Sequence, residues 1–380
     1  MIKVSLPDIS SKEVNEVKNI LYSNWIVEGP KTKILEDKFK KRFKKKFCIF
    51  FNSWTTAAFA LFKVLNIKEG SEIILPSLSF IATANAPLLS GYKLKFVDVD
   101  IDTYNISTKD IEKKISKKTK MILSVDQLGN PCNQKEISKI CKKKRILNIL
   151  DSACSFGSKH ENKEIGHYSD FMIFSFHARK LITSGEGGAI LFNDDKILKK
   201  LLLFKSHGMD KEPYKRSKSS PLQFEKYPSS GLNLRFTDIQ AGILNSQFDR
   251  SKNIIKKRII ISKKYDNFFS KYPDLFCIQK ETLNSKTNRQ AYMIVFKKNN
   301  LRNSLIEFLY KNKIETRRAI PSIHKQIAYS KNFNIKLPNT EFISKNGIVL
   351  PLYSQLNQKN LNYITDKIKK FLVINNLDTY

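Results

Sequence analysis

One lysine stands where covalent carbonyl chemistry could be built. The apolar run Phe171-Met172-Ile173-Phe174 passes into a polar turn that holds Ser175, His177, Arg179 and Lys180. Gly185-Glu186-Gly187-Gly188 follows, and a second apolar run begins at Ala189. An amine at the end of a buried strand can attack a carbonyl, and glycines let the backbone pack closely around what it binds. Lysine is abundant in this chain, so residue type alone says little, and the ends of the other apolar runs matter more. Asn52-Ser53-Trp54-Thr55-Thr56 follows one of them and opens a helical pattern, where hydroxyls and free backbone amides suit a phosphate. Pro76-Ser77-Leu78-Ser79-Phe80 follows another and brings an aromatic face able to stack on a planar ring. Asp151 follows a third, and a carboxylate there requires a cationic or hydrogen-bonding partner.

The elements that must position these residues form a rhythm. Short apolar runs recur at 47–51, 72–75, 94–97, 121–125, 146–150, 171–174 and 189–192, with helical patterns between them, as at 55–65 and 134–144. Alternating helices and continuous apolar strands predict an α/β domain around a seven-stranded, mostly parallel, buried sheet flanked by helices. Only a turn region separates the last two strands, so one of them is expected to run antiparallel. In such sheets ligands sit outside the carboxyl ends of the strands, where the polar residues above lie.

Upstream, 10–23 reads as a helix capped by Ser11 with Glu13 in its first turn. A second helix carries Leu35, Phe39, Phe43 and Phe47 at four-residue spacing, with the interleaved lysines on a solvated face. From 237 to about 269 the pattern is one long helix or two consecutive ones. After Tyr272-Pro273 the character becomes α+β, with a strand at 292–296, a helix at 301–311, a strand at 314–316 and a terminal helix at 357–372. The expected division is a large domain over 1–250 and a small C-terminal α+β domain over 251–380.

A phosphate cradle, a stacking ring, a carboxylate and a lysine together match the needs of pyridoxal 5′-phosphate (PLP). The lysine would form a Schiff base with the aldehyde, and the carboxylate would keep the pyridine nitrogen protonated so that the ring acts as an electron sink. At an effective dielectric near 20, an opposite charge about 3 Å away is worth several kcal/mol, enough to move that nitrogen's pKa substantially.

Ordered along the chain are Asn24-Trp25-Ile26-Val27-Glu28-Gly29-Pro30, Asn52-Ser53-Trp54-Thr55-Thr56-Ala57, Pro76-Ser77-Leu78-Ser79-Phe80 with Ile81 to Asn85, and Phe96-Val97-Asp98-Val99-Asp100. Asp151-Ser152-Ala153, Ser175-Phe176-His177-Ala178-Arg179-Lys180, Gly185-Glu186-Gly187-Gly188 and Gly231-Leu232-Asn233-Leu234-Arg235 continue the series. In these segments the chain resembles the fold-type I PLP-dependent sugar aminotransferases of the DegT/DnrJ/EryC1/StrS family over almost its whole length. The resemblance implies Lys180 as the Schiff-base lysine and proton shuttle, Asp151 as the pyridinium partner and Phe80 as the stacking ring. It implies the Trp54 amide, Thr55 and Ser175 as phosphate ligands, with Asn233 reaching the phosphate across a homodimer interface. Arg235 stands where a substrate anion could be met. Glu315-Thr316-Arg317-Arg318 and Pro321-Ser322-Ile323-His324 resemble the segment that closes over the sugar, which makes Arg317 and His324 substrate candidates. The implied reaction transfers an amino group, from glutamate, to a nucleotide-linked keto sugar. The Glu-Thr-Arg segment with its downstream His leans toward amination at carbon 4.

Three departures from the family pattern stand out. Leu150 replaces a usual glutamate, and Cys154 replaces the glutamine or histidine beside the cofactor's ring hydroxyl. Trp54 replaces a glycine in the phosphate turn, so its ring is expected to face the substrate. Family members that deoxygenate sugars carry histidine in place of the lysine, so Lys180 argues against a dehydratase. A catalytically silent PLP-binding protein is the other alternative.

Composition bounds the remaining classes. The 380 residues suffice for one large and one smaller domain, and 41% hydrophobic residues mark a globular chain. The formal net charge is +33, but the lysines are spread along the whole length and no nucleic-acid-binding motif accompanies them. A diffuse positive field would still attract anionic small molecules. The five cysteines include no CxxC pair, which argues against a disulfide framework and a zinc ribbon. The longest uncharged run, 73–92, contains prolines, a glycine and hydroxyls, unlike a membrane helix, and the N-terminus shows no signal-peptide pattern. The chain reads as a cytoplasmic protein with no nucleic-acid, membrane or metal partner.

Overall fold

The computed structural model describes residues 1–211, 214, 217, 224–298 and 301–378. Its large sheet contains β1 (Phe47–Phe51), β2 (Glu72–Pro76), β3 (Lys93–Val97), β4 (Thr119–Val125), β5 (Leu147–Asp151), β6 (Phe171–Ser175) and β7 (Gly188–Phe192). Each strand lies within two residues of its apolar run. The spatial order is β1-β7-β6-β5-β4-β2-β3. Neighbours run parallel except at β7, which is antiparallel to both β1 and β6. No helix lies between β6 and β7 to carry the chain across the sheet, and the connection turns back instead, so β7 pairs antiparallel.

Alternation along the strands divides the apolar side chains between two layers. Ile49, Phe51, Ile73, Leu75, Leu123, Ile149, Ile173 and Ile190 face one side, where the helices Trp54–Leu65, Ala82–Leu89 and Asp195–Lys205 pack. Phe50, Ile74, Ile122, Leu150, Phe174 and Leu191 face the other, beneath Pro30–Phe43, Gln134–Lys144 and the start of Asp238–Phe269. Phe39 centres the second layer, with its ring 5.2 Å from Phe50 and 5.8 Å from Phe174. Burying one such ring contributes about 1.5–3 kcal/mol.

Details differ from expectation at both ends of the chain. Ser10, not Ser11, caps the first helix: its side chain accepts from Lys12 N, and its own N–H donates to Glu13 Oε2 at 2.7 Å. That reciprocal pair explains why the helix starts one residue later. The second helix stops at Phe43, because Lys44 turns left-handed at φ 53°, and Phe47 opens β1 instead. The long C-terminal pattern is one helix of 32 residues, Asp238–Phe269. The division expected at 250/251 falls inside it. Ala241, Leu244 and Ile254 belong to the large-sheet core, whereas Ile261, Tyr265 and Phe269 belong to a second core.

That second core rests on a four-stranded antiparallel sheet of β8 (Phe276–Ile278), β9 (Tyr292–Phe296), β10 (Arg317–Arg318) and β11 (Gly347–Leu350), ordered β8-β9-β11-β10. Its helices are Leu301–Lys311 and Gln358–Ile374. The strand expected at 314–316 lies further on. Ile314 bridges Ile2, Ile2 N donates to Lys313 O, and Glu315 N donates to Ile2 O, both at 2.8 Å. The N-terminus therefore occupies those backbone groups, and pairing with β11 starts at Arg317. Among the described residues no helix is long and apolar enough to cross a membrane.

Candidate cofactor and substrate site

The site is built at the carboxyl ends of β1, β2, β5 and β6. After β1, Ser53 caps the helix Trp54–Leu65: its Oγ accepts from Thr56 N at 3.1 Å, and Ser53 N donates to Thr56 Oγ1 at 3.2 Å. The amides of Trp54 and Thr55 stand in the first turn, where no intrahelical acceptor exists and the helix dipole favours an anion. Gly188 pairs with Phe51 on one side and Ser175 on the other. A Cβ at Gly188 would lie 2.4 Å from Ser53 O and 2.7 Å from Trp54 N, so only glycine lets β7 draw the Ser175 hydroxyl and the helix start together. Gly185, at φ 84°, makes the left-handed turn that returns the chain into β7.

Lys180 lies in the turn between β6 and β7, where its N–H donates to His177 O at 2.8 Å. Its Nζ donates to Cys154 Sγ at 3.4 Å. Asp151 ends β5 and is 4% exposed. Ala153 N donates to its Oδ1 at 3.0 Å and Thr83 Oγ1 to its Oδ2 at 3.2 Å. Burial pushes the Asp151 carboxyl up to about 6, against the Ala153 N–H, the Lys180 charge, the Thr83 hydroxyl and the Trp54 indole, which all favour the ionised form. Phe80 is 65% exposed, an unusual state for a phenylalanine that borders a cavity.

These groups converge on a cavity of about 570 Å³. Trp54, Thr55, Phe80, Asp151, Cys154, Ser175 and Lys180 line it from the large sheet, and Arg317 lines it from β10. Three further candidates from the sequence lie elsewhere. Arg235 Nη1 donates to Ser206 Oγ at 3.0 Å, and Asn233 is exposed and bridges Ser206 through the backbone. His324 is fully buried: Nδ1 shares a 2.7 Å hydrogen bond with Ser77 Oγ, and Nε2 lies 3.2 Å from Glu341 Oε1. The structure therefore does not bring His324 to the cavity. It pins the 321–325 segment to the end of β2.

Trp54 also departs from expectation. Its backbone is helical rather than left-handed, so no strain arises from the missing glycine. Its ring is 6% exposed and belongs to the apolar layer with Phe51 and Ile149, so it forms part of the buried wall of the cavity instead of standing open to solvent. Its Nε1 is buried without a hydrogen-bond partner. Sequence reasoning passed over Thr83 and Arg318. Thr83 lies one helical turn beyond Ser79, whose hydroxyl it meets at 2.8 Å, and that hydroxyl spacing was a usable signal. Arg318 lines the cavity beside Arg317.

The residues present fit PLP. A buried carboxyl with an elevated pKa calls for a positive partner such as a pyridinium N–H, and free amides beside Ser175 suit a phosphate. Lys180 is within reach of the same space. Among the described residues no group of three or more His, Cys, Asp or Glu could hold a metal.

Comparison with known proteins agrees with this geometry. GDP-perosamine synthase of Escherichia coli O157:H7 is 32% identical over 97% of this chain and 98% of its own length. The structure of Helicobacter pylori PseC, an aminotransferase involved in the biosynthesis of pseudoaminic acid, superposes with a TM-score of 0.92 at 29% identity, covering 98% of this chain and 99% of that one. The E. coli GDP-4-keto-6-deoxy-D-mannose-3-dehydratase with bound hydrated PLP superposes with a TM-score of 0.86 at 26% identity, covering 97% and 99%. The fold is that of the fold-type I PLP-dependent transferases. The family model for the DegT/DnrJ/EryC1/StrS aminotransferases matches residues 7–369, and the chain belongs to that family.

Proposed function

We propose that the chain is a PLP-dependent aminotransferase that moves an amino group from glutamate to a nucleotide-linked 4-keto sugar. The observation that carries this reading is the convergence of Lys180, Asp151, the Trp54 and Thr55 amides and Ser175 on one cavity. Bound PLP supplies a reactive aldehyde carbon and an electron sink. Lys180 Nζ would be the amine that holds the cofactor, and it would be the group placed to carry a proton in the transfer. Asp151 keeps a proton on the pyridine nitrogen, Phe80 covers the ring, and the amides with Ser175 anchor the phosphate. Cys154 stands beside Lys180 and would be the side chain offered to the ring hydroxyl.

Arg317 meets the anionic part of the sugar nucleotide, and the positive surface field draws such substrates in. The family's nucleotide-sugar names support that substrate class. Asn233 is exposed and outside its own cavity, which supports its reaching a partner's phosphate in a homodimer, with Arg235 beside it. Lys180 separates this reading from a sugar dehydratase.

The purified protein should show visible absorbance with PLP, and Lys180→Ala should lose it while remaining folded. Glutamate-dependent turnover of a panel of nucleotide ketosugars then identifies the acceptor. A wild type that stays colourless with added PLP sinks the reading. Mixing Lys180→Ala with Asn233→Ala subunits should restore activity through heterodimers, and no recovery would refute the shared site.

A further inference from the structure

The Trp54 indole N–H is a buried donor that the roles above leave unused. The side chain is 6% exposed, and Nε1 has no hydrogen-bond partner among the described residues. A buried, unpaired donor of this kind costs free energy, so its persistence calls for a partner in the working state. Its surroundings narrow the choice. The residue is held in place by the Ser53 cap behind it and by the close approach of Gly188, 2.7 Å from its N for a notional Cβ. The ring lies in the apolar layer that contains Ile149, against which Ala153 also packs. Trp54 and Asp151 line the same cavity, and Asp151 is the buried carboxylate among its lining residues. The indole already favours the ionised Asp151, although it falls short of a formed hydrogen bond.

We infer that Trp54 is a positioning residue for Asp151: its indole N–H donates to the carboxylate of the loaded protein and holds it ionised and aimed at the pyridine nitrogen. This rests on the PLP reading of the site. The residue then serves both ends of the cofactor, the phosphate through its backbone amide and the ring nitrogen through Asp151. A glycine or alanine at 54 could supply the first contact but not the second. The two carboxylate oxygens would share three protein donors, from Ala153, Thr83 and Trp54, and still accept from the pyridinium.

The test is a double-mutant cycle read on cofactor retention, not turnover. PLP binding to wild type, Trp54→Phe, Asp151→Asn and the double variant is measured by equilibrium dialysis and visible absorbance from pH 5.5 to 9. Trp54→Phe should weaken retention about five- to tenfold, of the order expected for one charge-assisted hydrogen bond. It should also shift the acid loss of retention to higher pH, because removing a donor makes Asp151 easier to protonate. In the Asp151→Asn background the same change should alter retention less than about twofold. Equal losses in both backgrounds, or no loss in either, overturn the inference. Unchanged retention in Asp151→Asn alone overturns the role of Asp151 and this inference with it, while visible absorbance that depends on Lys180 would leave the PLP reading standing.

If Trp54→Phe does not fold, the wild type itself gives the answer. The chain has two tryptophans, so a Trp25→Phe variant assigns the indole N–H resonances of the other. The Trp54 resonance should move downfield on PLP loading and fail to do so in Asp151→Asn. An unmoved resonance in the loaded protein overturns the inference.

Discussion

Asp151→Asn should make the cofactor-free protein more stable at neutral pH while depriving it of function. Burial raises the Asp151 carboxyl from 3.8 to about 6. Between those values the folded chain binds more protons than the unfolded chain, so stability falls as pH rises through the interval. Above pH 6 the full difference is lost, an upper bound of about 3 kcal/mol. Most of that loss falls between about pH 4 and 6. Asparagine keeps the shape and carries no charge, so the variant should escape this penalty. It gives back part of the gain, because one of the donors from Ala153 and Thr83 would meet an NH₂ group. The net expectation at pH 8 is a gain of about 1–2 kcal/mol, or about 1–3 °C in Tm for a chain of this length. Near pH 4 the two proteins should unfold together.

The assay is unfolding of cofactor-free wild type and Asp151→Asn at pH 4, 6 and 8, followed by circular dichroism. Asp126 carries a similar upward shift; burial is its largest cause and is common to both proteins, while the small part that comes from the Asp151 charge is removed in the variant and adds to the expected gain at high pH. A stability difference that does not change with pH would refute the reasoning, as would a variant less stable at pH 8 than at pH 4 relative to wild type. With PLP bound the order should reverse, because the carboxylate then has its cationic partner.

Other perturbations test the framework around it. Gly188→Ala places a methyl 2.4 Å from Ser53 O and should cost about 1–3 kcal/mol of stability and weaken PLP retention together; unfolding curves and dialysis would show both. His324→Ala leaves Ser77 and Glu341 without their ring partners and should cost about 2–4 kcal/mol, with the KM for the sugar nucleotide changed less than about threefold. Burial lowers the His324 pKa, so its folded form binds fewer protons, and the variant should lose less stability than wild type as pH falls below about 6.5. Arg317→Ala should raise the KM for the sugar nucleotide about tenfold or more and leave the glutamate half-reaction unchanged, since a single charge-assisted contact is worth about 1.5–3 kcal/mol. A larger effect on the glutamate step would place Arg317 at the donor instead.

Much of the site was legible because strands buried on both faces read as unbroken apolar runs. Their ends are then marked by the first polar residues, and Asp151, Ser175 and Phe80 each stand at or just beyond such an end. Lys180 and the Gly185–Gly188 stretch were legible for a related reason, since a short polar turn between two apolar strands leaves few conformations. The Ser53 cap and the helix after it followed from local chemistry, a hydroxyl before an apolar helical pattern. Local patterns were ambiguous by one residue at Ser10 and Ser11, where either hydroxyl could cap and only Ser10 has Glu13 in reach of its N–H.

What local pattern could not reach was the choice among buried neighbours. Periodicity says that a face is covered, but not by what. Trp54 could have left its ring open to solvent or buried it, and the layer containing Phe51 and Ile149 decided for burial in the cavity wall. His324 matched a substrate-binding position along the chain, yet Ser77 and Glu341, far from it in sequence, claimed both ring nitrogens. Ile2 captured the backbone at 314 and so moved β10 onto Arg317 and Arg318. The sequence alone settled the seven strands of the large sheet, their order along the chain and the polar residues at their ends, because strand-length apolar runs and turn chemistry are local. The contact of Lys180 with Cys154, the burial that raises Asp151 and the indole beside it were settled only by folding, because each depends on side chains brought together across the sheet from distant segments.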